Sequence, residues 1–339
     1  MSEATLLVDT SFLGDVLCAE PMVRAAAARF GGPVDFLTSP GGAQMLAGHP
    51  DLREVLVYEK RGADKGLAGL LRLAKRLRRS GYARVICSHR SWRTAFLLRL
   101  ARIPVRVGYD NASGAWLYTE QVRYPKELHE VERNLALLGG GPWDRPRLFP
   151  SEAEKKRAGE LAPERGFVAV APGSIWATKR WPREHFAVTI QQLLDSGERV
   201  VLLGGPDDHA LAEEITSLSG GGPGFLDLVG QTNLRESYAV LERAACLVTN
   251  DSAPMHMGVA AGIPVVAVFC STMPSFGFGP KGERDVVLEV EKGSLACRPC
   301  GIHGHPKCPE AHFRCGKDVL PERALAAVRE RLALDLSDA

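Results

Sequence analysis

Short apolar runs alternate with longer segments of helical spacing along almost the whole chain. In the first half the strand candidates are residues 6–9, 34–38, 55–58, 85–88 and 105–109. Helical stretches lie between them: 16–30, 66–79 and 91–101, the last with Ala95, Leu98 and Ala101 on one face. In the second half the strand candidates are 167–171, 200–203, 226–229, 247–250 and 265–269, separated by helices at 183–195, 207–218, 234–245 and 254–261. Parallel strands need crossover connections, so this alternation predicts an α/β fold of parallel sheets with helices on their faces. The pattern pauses at Gly139-Gly140-Gly141-Pro142, and a linker is predicted over 140–165. Two Rossmann-like domains follow from this, residues 1–150 and 151–339, with the last helix packing back on the first domain.

The chain has 339 residues, enough for two such cores. A formal charge of +2 excludes a strong field over the whole molecule but not a local basic patch. No apolar run is long enough to span a bilayer, and the first residues lack the pattern of a secretory signal. A cytoplasmic location is therefore expected. Four of the eight cysteines (Cys18, Cys87, Cys246, Cys270) stand alone among apolar neighbours and read as core residues. The others, Cys297, Cys300, Cys308 and Cys315, cluster with His303, His305 and His312. A leading CxxC admits a structural zinc, and reduced thiols that shape a loop are the other reading. No catalytic metal is expected.

The candidate chemistry falls where strands end, which is where open α/β sheets bind ligands. The first strand runs into Thr10-Ser11-Phe12-Leu13-Gly14-Asp15. Gly14 permits close approach, and Asp15 is either a helix cap or a proton acceptor. The next candidate is Ser88-His89-Arg90-Ser91-Trp92-Arg93, with His129 and Arg133 further on; these suit an anionic acceptor or a solvated basic face. In the second half, Ala171-Pro172-Gly173-Ser174 leads to Thr178, Lys179 and Arg180. Hydroxyls, backbone donors and a basic side chain there match a phosphate or diphosphate. Asn250-Asp251-Ser252-Ala253-Pro254-Met255-His256 is a strand end entering a helix, so its amides can hold phosphate or sugar hydroxyls. His256 reads equally as a packing residue. Asp208, after Gly204-Gly205-Pro206, can accept from ribose hydroxyls or sit in an acidic first turn.

These motifs, in this order, resemble the ADP-heptose:lipopolysaccharide heptosyltransferases, glycosyltransferase family 9. Thr10 to Val16 is similar to the family's N-terminal signature. His89 to Arg93 with Arg106-Val107-Gly108-Tyr109 resembles its basic stretch, and His129 to Leu135 its interdomain helix. Lys179-Arg180-Trp181-Pro182 and Asn250 to His256 are similar to its donor signatures. The C-terminal cysteines look most like the heptosyltransferase II branch. The sequence departs from the pattern at Asp9, where the family often has Arg, and at Ala253-Pro254.

The resemblance implies a GT-B fold with an active site in a central cleft. It implies inverting transfer of L-glycero-D-manno-heptose from ADP-heptose to the lipopolysaccharide inner core, with no cofactor required. Asp15 is then the general base, and Lys179 binds donor phosphate with Ser174, Thr178 and the helix start at Asp251, Ser252, Ala253, Pro254, Met255 and His256. Asp251 holds heptose hydroxyls and Asp208 the adenosine ribose, while Gly14, Arg90, Arg93 and His129 meet the acceptor. The partners implied are the nucleotide sugar, a lipid-linked anionic core oligosaccharide and the inner-membrane surface, for a peripheral monomer that binds no nucleic acid. Another nucleotide sugar or glycan, a GT-B epimerase and a non-catalytic nucleotide-sugar binder are the competing readings.

Overall fold

The computed structural model describes residues 3–337, and side-chain burial to residue 334. The chain divides into two compact units, Met1–Phe149 and Pro150–Ala339.

The first unit contains, in chain order, β1 (Thr5–Val8), α1 (Leu13–Cys18), α2 (Glu20–Phe30), β2 (Val34–Thr38), α3 (Pro40–Leu46), β3 (Glu54–Val57), α4 (Gly66–Arg79), β4 (Arg84–Cys87), α5 (Trp92–Leu100), β5 (Val105–Tyr109), β6 (Glu120–Val122) and α6 (Glu130–Ala136). Its sheet order is β3-β2-β1-β4-β5-β6, every pair parallel. The second unit contains α7 (Glu152–Leu161), β7 (Phe167–Ala171), α8 (Arg183–Asp195), β8 (Val200–Leu202), α9 (His209–Ser219), β9 (Phe225–Asp227), α10 (Leu234–Leu241), β10 (Ala244–Asn250), α11 (Ala253–Ala261), β11 (Val265–Val268), β12 (Val286–Leu288), α12 (Arg314–Lys317) and α13 (Pro321–Ser337). Its sheet order is β12-β11-β10-β7-β8-β9, again all parallel.

Counted from its own first strand, each sheet has the order 3-2-1-4-5-6 of a doubly wound fold. The winding reverses between β1 and β4 in one unit and between β7 and β10 in the other. The crevices there lie beyond the strand ends, so topology alone names two places for ligands. The cores explain the stability of these frames. Leu7, Phe36 and Ile86 with Val16 and Met22 fill one face of the first sheet, and Leu6, Leu37 and Val85 with Leu70, Leu77 and Leu98 fill the other. In the second unit Val168, Val170, Val248 and Val266 pack under Phe186, Ile190, Trp181 and Val328. The Trp181 indole donates to the Val319 carbonyl at 2.7 Å, so the polar end of this buried ring is satisfied.

Several expectations are corrected. Each sheet has six strands: β6 and β12, three residues each, add an edge strand to the five expected in each half. The helix expected over 16–30 is two helices that break at Ala19. Pro21 lies in the first turn of α2, a position proline favours, so a new helix begins there. The linker at 140–165 contains α7, opened by a capping box in which Ser151 and Glu154 satisfy each other's backbone amides. Helix α10 ends at Leu241, and the chain enters β10 at Ala244. Helix α13 packs on α8, β10, β11 and β12 within the second unit.

Candidate active site

In the first unit the end of β1 is tied to the end of β4 across the switch point. The Ser88 hydroxyl donates to the Asp9 carboxylate at 2.6 Å, and the Ser11 amide donates to its other oxygen at 2.8 Å. Thr10 Oγ1 lies 3.0 Å from His89 Nδ1, which also meets Thr94 Oγ1 at 2.8 Å. Burial pushes the His89 imidazole down to about 4, so this bridge is neutral at physiological pH. Lys60 donates to the Thr10 carbonyl at 3.2 Å.

This frame positions Asp15. Phe12 precedes α1 in an extended conformation, and Leu13, Gly14 and Asp15 form the first turn. Asp15 makes no side-chain cap from the N-cap position; it is the third helical residue, and its carboxylate accepts from the amides of Phe12 and Asp15. The residue keeps partial exposure, while protein surrounds its carboxyl. Burial first, then the charges of Asp9 and Glu130, push its pKa up to about 8. Glu130 is itself buried on α6 and shifted upward by burial, with the Arg133 guanidinium at 3.0 Å opposing the shift. The result is a carboxyl that takes a proton readily near neutral pH, as a general base must.

The other acceptor-side candidates divide. Arg90 is exposed, with its guanidinium 4.4 Å from the centre of the Tyr124 ring. Arg93 is engaged elsewhere: it donates to the Tyr58 hydroxyl at 2.6 Å and to the carbonyls of Asp64 and Gly66, pinning the loop before α4. His129 is the N-cap of α6, where Nδ1 accepts from the Val131 amide at 3.2 Å and Glu132 accepts from the His129 amide. In both residues the atoms that make these bonds hold the framework of the first unit.

In the second unit the motifs that follow β7 and β10 converge. Asn250 accepts from the Trp181 amide at 2.8 Å and donates to the Pro172 carbonyl at 2.7 Å; Thr249 donates to Ala171. These bonds lock the Lys179 loop against the Asp251 loop. Lys179 Nζ lies 2.6 Å from Asp251 Oδ2, and the Thr272 hydroxyl donates to the same oxygen at 2.6 Å. Helix α11 begins beside this pair, with Ser252 as an N-cap that makes no side-chain cap hydrogen bond and with Pro254 in its first turn. Met255 is fully buried, and its amide donates to the Ser252 carbonyl at 3.1 Å. His256 is buried too; burial pushes its pKa down to about 4, with Lys179 in the same sense and Asp251 opposing. The Ser174 carbonyl accepts from Arg180 at 2.7 Å, which shapes the loop, and its side chain stays partly exposed.

Two donor-side candidates have partners within the protein. Thr178 points inward: its hydroxyl accepts from the His305 amide at 2.7 Å and from Ser271 at 3.1 Å, and its own amide donates to the His305 carbonyl. Asp208 closes its own turn by accepting from the Gly205 amide at 3.0 Å. The same carboxylate fills the space beside Gly173, where a Cβ would come within 2.5 Å of it, so the Gly173 loop and the Asp208 turn are one structure.

The segment after β12 straps this site. Arg298 donates to the carbonyls of Phe269, Cys270 and Thr272 and to Glu289, and the Cys300 amide donates to Ser271. Gly304 sits so close to Thr178, Lys179 and Trp176 that a Cβ would meet each at 3.1–3.2 Å. All four clustered cysteines are free thiols; Cys297 Sγ lies 3.7 Å from His312 Nε2, and Cys300 donates to the Cys297 carbonyl. Among the described residues no group of three or more His, Cys, Asp or Glu is arranged to hold a metal ion, so the cysteines do not present the ligand set a structural zinc needs.

Sequence reasoning missed Asp9 and Glu130 as partners of Asp15. It also missed Ser271, Thr272, Arg298 and His305 around Lys179. All become visible only through contacts between distant segments, although Arg298 lies inside the CxxC motif itself.

A family model described as glycosyltransferase family 9 (heptosyltransferase) matches residues 70–301. Lipopolysaccharide heptosyltransferase 2 of Escherichia coli (strain K12) is 27% identical over 340 residues, covering 94% of this chain and 96% of that protein. Lipooligosaccharide heptosyltransferase 2 of Haemophilus influenzae is 25% identical, covering 97% and 99%. The solved structure of E. coli ADP-heptose lps heptosyltransferase II superimposes with a TM-score of 0.80 at 25% identity, covering 98% of this chain and 99% of that one. A glycosyl transferase family 9 structure from Veillonella parvula gives 0.87 at 21% identity, covering 98% of each chain, a likeness of fold alone.

Two doubly wound units, each with polar side chains gathered at its switch point, together with these matches define a GT-B glycosyltransferase. One unit presents a carboxyl suited to accept a proton, and the other a cation and a helix start suited to phosphate. The chain belongs to glycosyltransferase family 9, the heptosyltransferases.

Proposed function

We propose that this enzyme transfers L-glycero-D-manno-heptose from ADP-heptose to the inner core of lipopolysaccharide, with inversion and without a metal in the chemistry. The observation that carries the mechanism is the Asp15 carboxyl, pushed up to about 8 between Asp9 and Glu130. Asp15 takes the proton from an acceptor hydroxyl as that oxygen bonds to the anomeric carbon. The bond from that carbon to the diphosphate oxygen breaks, and ADP leaves with the electron pair. Its developing charge falls to Lys179 and the open start of α11, with Ser174 on the same loop. Asp251 holds Lys179 in place and meets heptose hydroxyls. The first unit is then the acceptor domain, with Gly14 and Arg90 at the acceptor, and the second the donor domain. The neutral His256 adds no charge beside the diphosphate.

The relatives named for lipopolysaccharide and lipooligosaccharide support the choice of acceptor, and the solved ADP-heptose enzyme supports the donor. No helix among the described residues is long and apolar enough to cross a membrane. In this reading the enzyme works at the cytoplasmic face of the inner membrane and meets it peripherally. The test is a panel of ADP- and UDP-sugars with a deacylated core acceptor, followed by mass analysis. ADP release from ADP-heptose that requires acceptor and persists in EDTA is expected. Turnover with a UDP-sugar alone overturns the donor, isomerisation without acceptor overturns the reaction, and loss in EDTA overturns the metal-free step.

A further inference from the structure

Helix α4 has an inner and an outer face of opposite character. Leu70, Leu73, Ala74 and Leu77 are buried against the sheet. The outer face starts apolar, with Leu67 64% and Leu71 48% exposed, and continues as Arg72, Lys75, Arg76 and Arg79. The helix contains no acidic residue. Four of these cations, with Ser80, line an open hollow of about 420 Å³. Arg76 reaches Glu54 at 2.7 Å, whereas Lys75 and Arg79 have no protein partner among the described residues.

The apolar start of α4 continues onto neighbouring elements. Arg93 in the first turn of α5 donates to Gly66 at the start of α4, and α4 packs along α5. Trp92, at the start of α5, is 47% exposed and stacks on Phe96 at 5.0 Å. The turn at Gly114 lies against α5, where a Cβ would come within 2.9 Å of Ala95, and it leads to Trp116, 73% exposed. Leu67, Trp92 and Trp116 thus stand on segments that leave one edge of the sheet, with Leu71 about a turn further along α4. That edge is set by topology: the segments after β3, β4 and β5 all leave a parallel sheet on the side where β1 hands over to Asp15.

We infer that this face docks on an anionic phospholipid bilayer, with the leucines and tryptophans entering the interface and the α4 cations on the headgroup phosphates. Exposed leucines and tryptophans beside a row of cations, of which Arg76 alone is paired with a carboxylate among the described residues, are the chemistry of an interfacial helix. Tryptophan prefers the headgroup level, and an apolar patch of this kind marks an interaction site. The inference rests on the proposed lipid-linked acceptor only for its purpose: it brings the Asp15 edge to the surface from which such an acceptor projects.

The test is cosedimentation of the full chain with vesicles of phosphatidylethanolamine and phosphatidylglycerol, without donor or acceptor. Binding is expected, weakened by salt, and much weaker to phosphatidylcholine vesicles. The triple variant R72E/K75E/R79E is expected to lose binding by about a hundredfold, since each cation contributes about a tenfold factor or less before reversal. Leu71→Ser with Trp116→Ser is expected to weaken the binding that survives in high salt. Turnover on a deacylated, water-soluble acceptor stays within about twofold in both variants, while turnover on acceptor embedded in vesicles falls with binding. Wild-type binding that is absent, or equal on neutral and anionic vesicles, overturns the inference, as does triple-variant binding equal to wild type. Because vesicle binding is read without substrates, its failure is separate from failure of the proposed reaction.

Discussion

The two units share a strand order but hold opposite electrostatics at the same topological point. At the β1/β4 switch point three carboxyls, Asp9, Asp15 and Glu130, crowd together, and the Asp15 proton is held tightly. At the β7/β10 switch point the carboxylate of Asp251 is neutralised by Lys179, and every nearby loop is pinned by hydrogen bonds. Burial and nearby like charge raise the Asp15 pKa, whereas an ion pair fixes a cation in position. One sheet architecture therefore carries a carboxyl of raised pKa in one unit and a lysine–aspartate ion pair in the other, which is the contrast the proposed mechanism uses. The difference lies in a few side chains at the strand ends.

Substitutions can break this contrast on either side. The largest effect is expected at Asp15: Asp15→Ala lowers kcat by about 10²–10⁴-fold with donor KM little changed, measured by acceptor-dependent ADP release. Turnover near wild type removes Asp15 as the base. On the opposite unit, Lys179→Ala is expected to weaken ADP binding by about 10–100-fold in calorimetry, the scale of one charge-assisted hydrogen bond. Undiminished affinity places the diphosphate elsewhere. Asp9→Asn sharpens the comparison. With one carboxylate charge gone, the Asp15 pKa falls, and the acid limb of the rate profile moves to lower pH. A limb that stays in place separates Asp9 from the site. The smallest effect is structural: Thr178→Val leaves the His305 amide without its acceptor and costs about 1–3 kcal/mol in denaturant unfolding. Wild-type stability shows that the strap is held by its other bonds.

Much of the fold was legible because parallel strands buried on both faces read as unbroken apolar runs. Phe167–Ala171 and Val265–Val268 stand out for that reason. The edge strand β6, Glu-Gln-Val, is mostly polar and exposed and leaves no such signal. The start of α7 was legible in Ser151-x-x-Glu154, yet charge in that stretch reads more readily as linker. Asp15, Lys179 and Asp251 announce themselves by their place at strand ends. Their environment does not: the shift of Asp15 depends on Glu130, far along the chain on α6, and the seat of Lys179 on Thr272 and Gly304. Thr178, Arg93 and His129 have the right residue types in the right loops, and only the partners of their side chains reveal that they hold the frame.

The central claim is that a carboxyl with a raised pKa takes the acceptor proton. Its most direct test is the pH dependence of kcat for acceptor-dependent ADP release, in wild type and in Asp15→Asn. Because burial and neighbouring negative charge lift Asp15 to about 8, the base is protonated below that value and active above it. Wild-type kcat is expected to fall about tenfold per pH unit below pH 8 and to level off above it, on a limb absent from the residual activity of the variant. A wild-type profile that stays flat between about pH 5 and 8, or an identical limb in Asp15→Asn, contradicts the account.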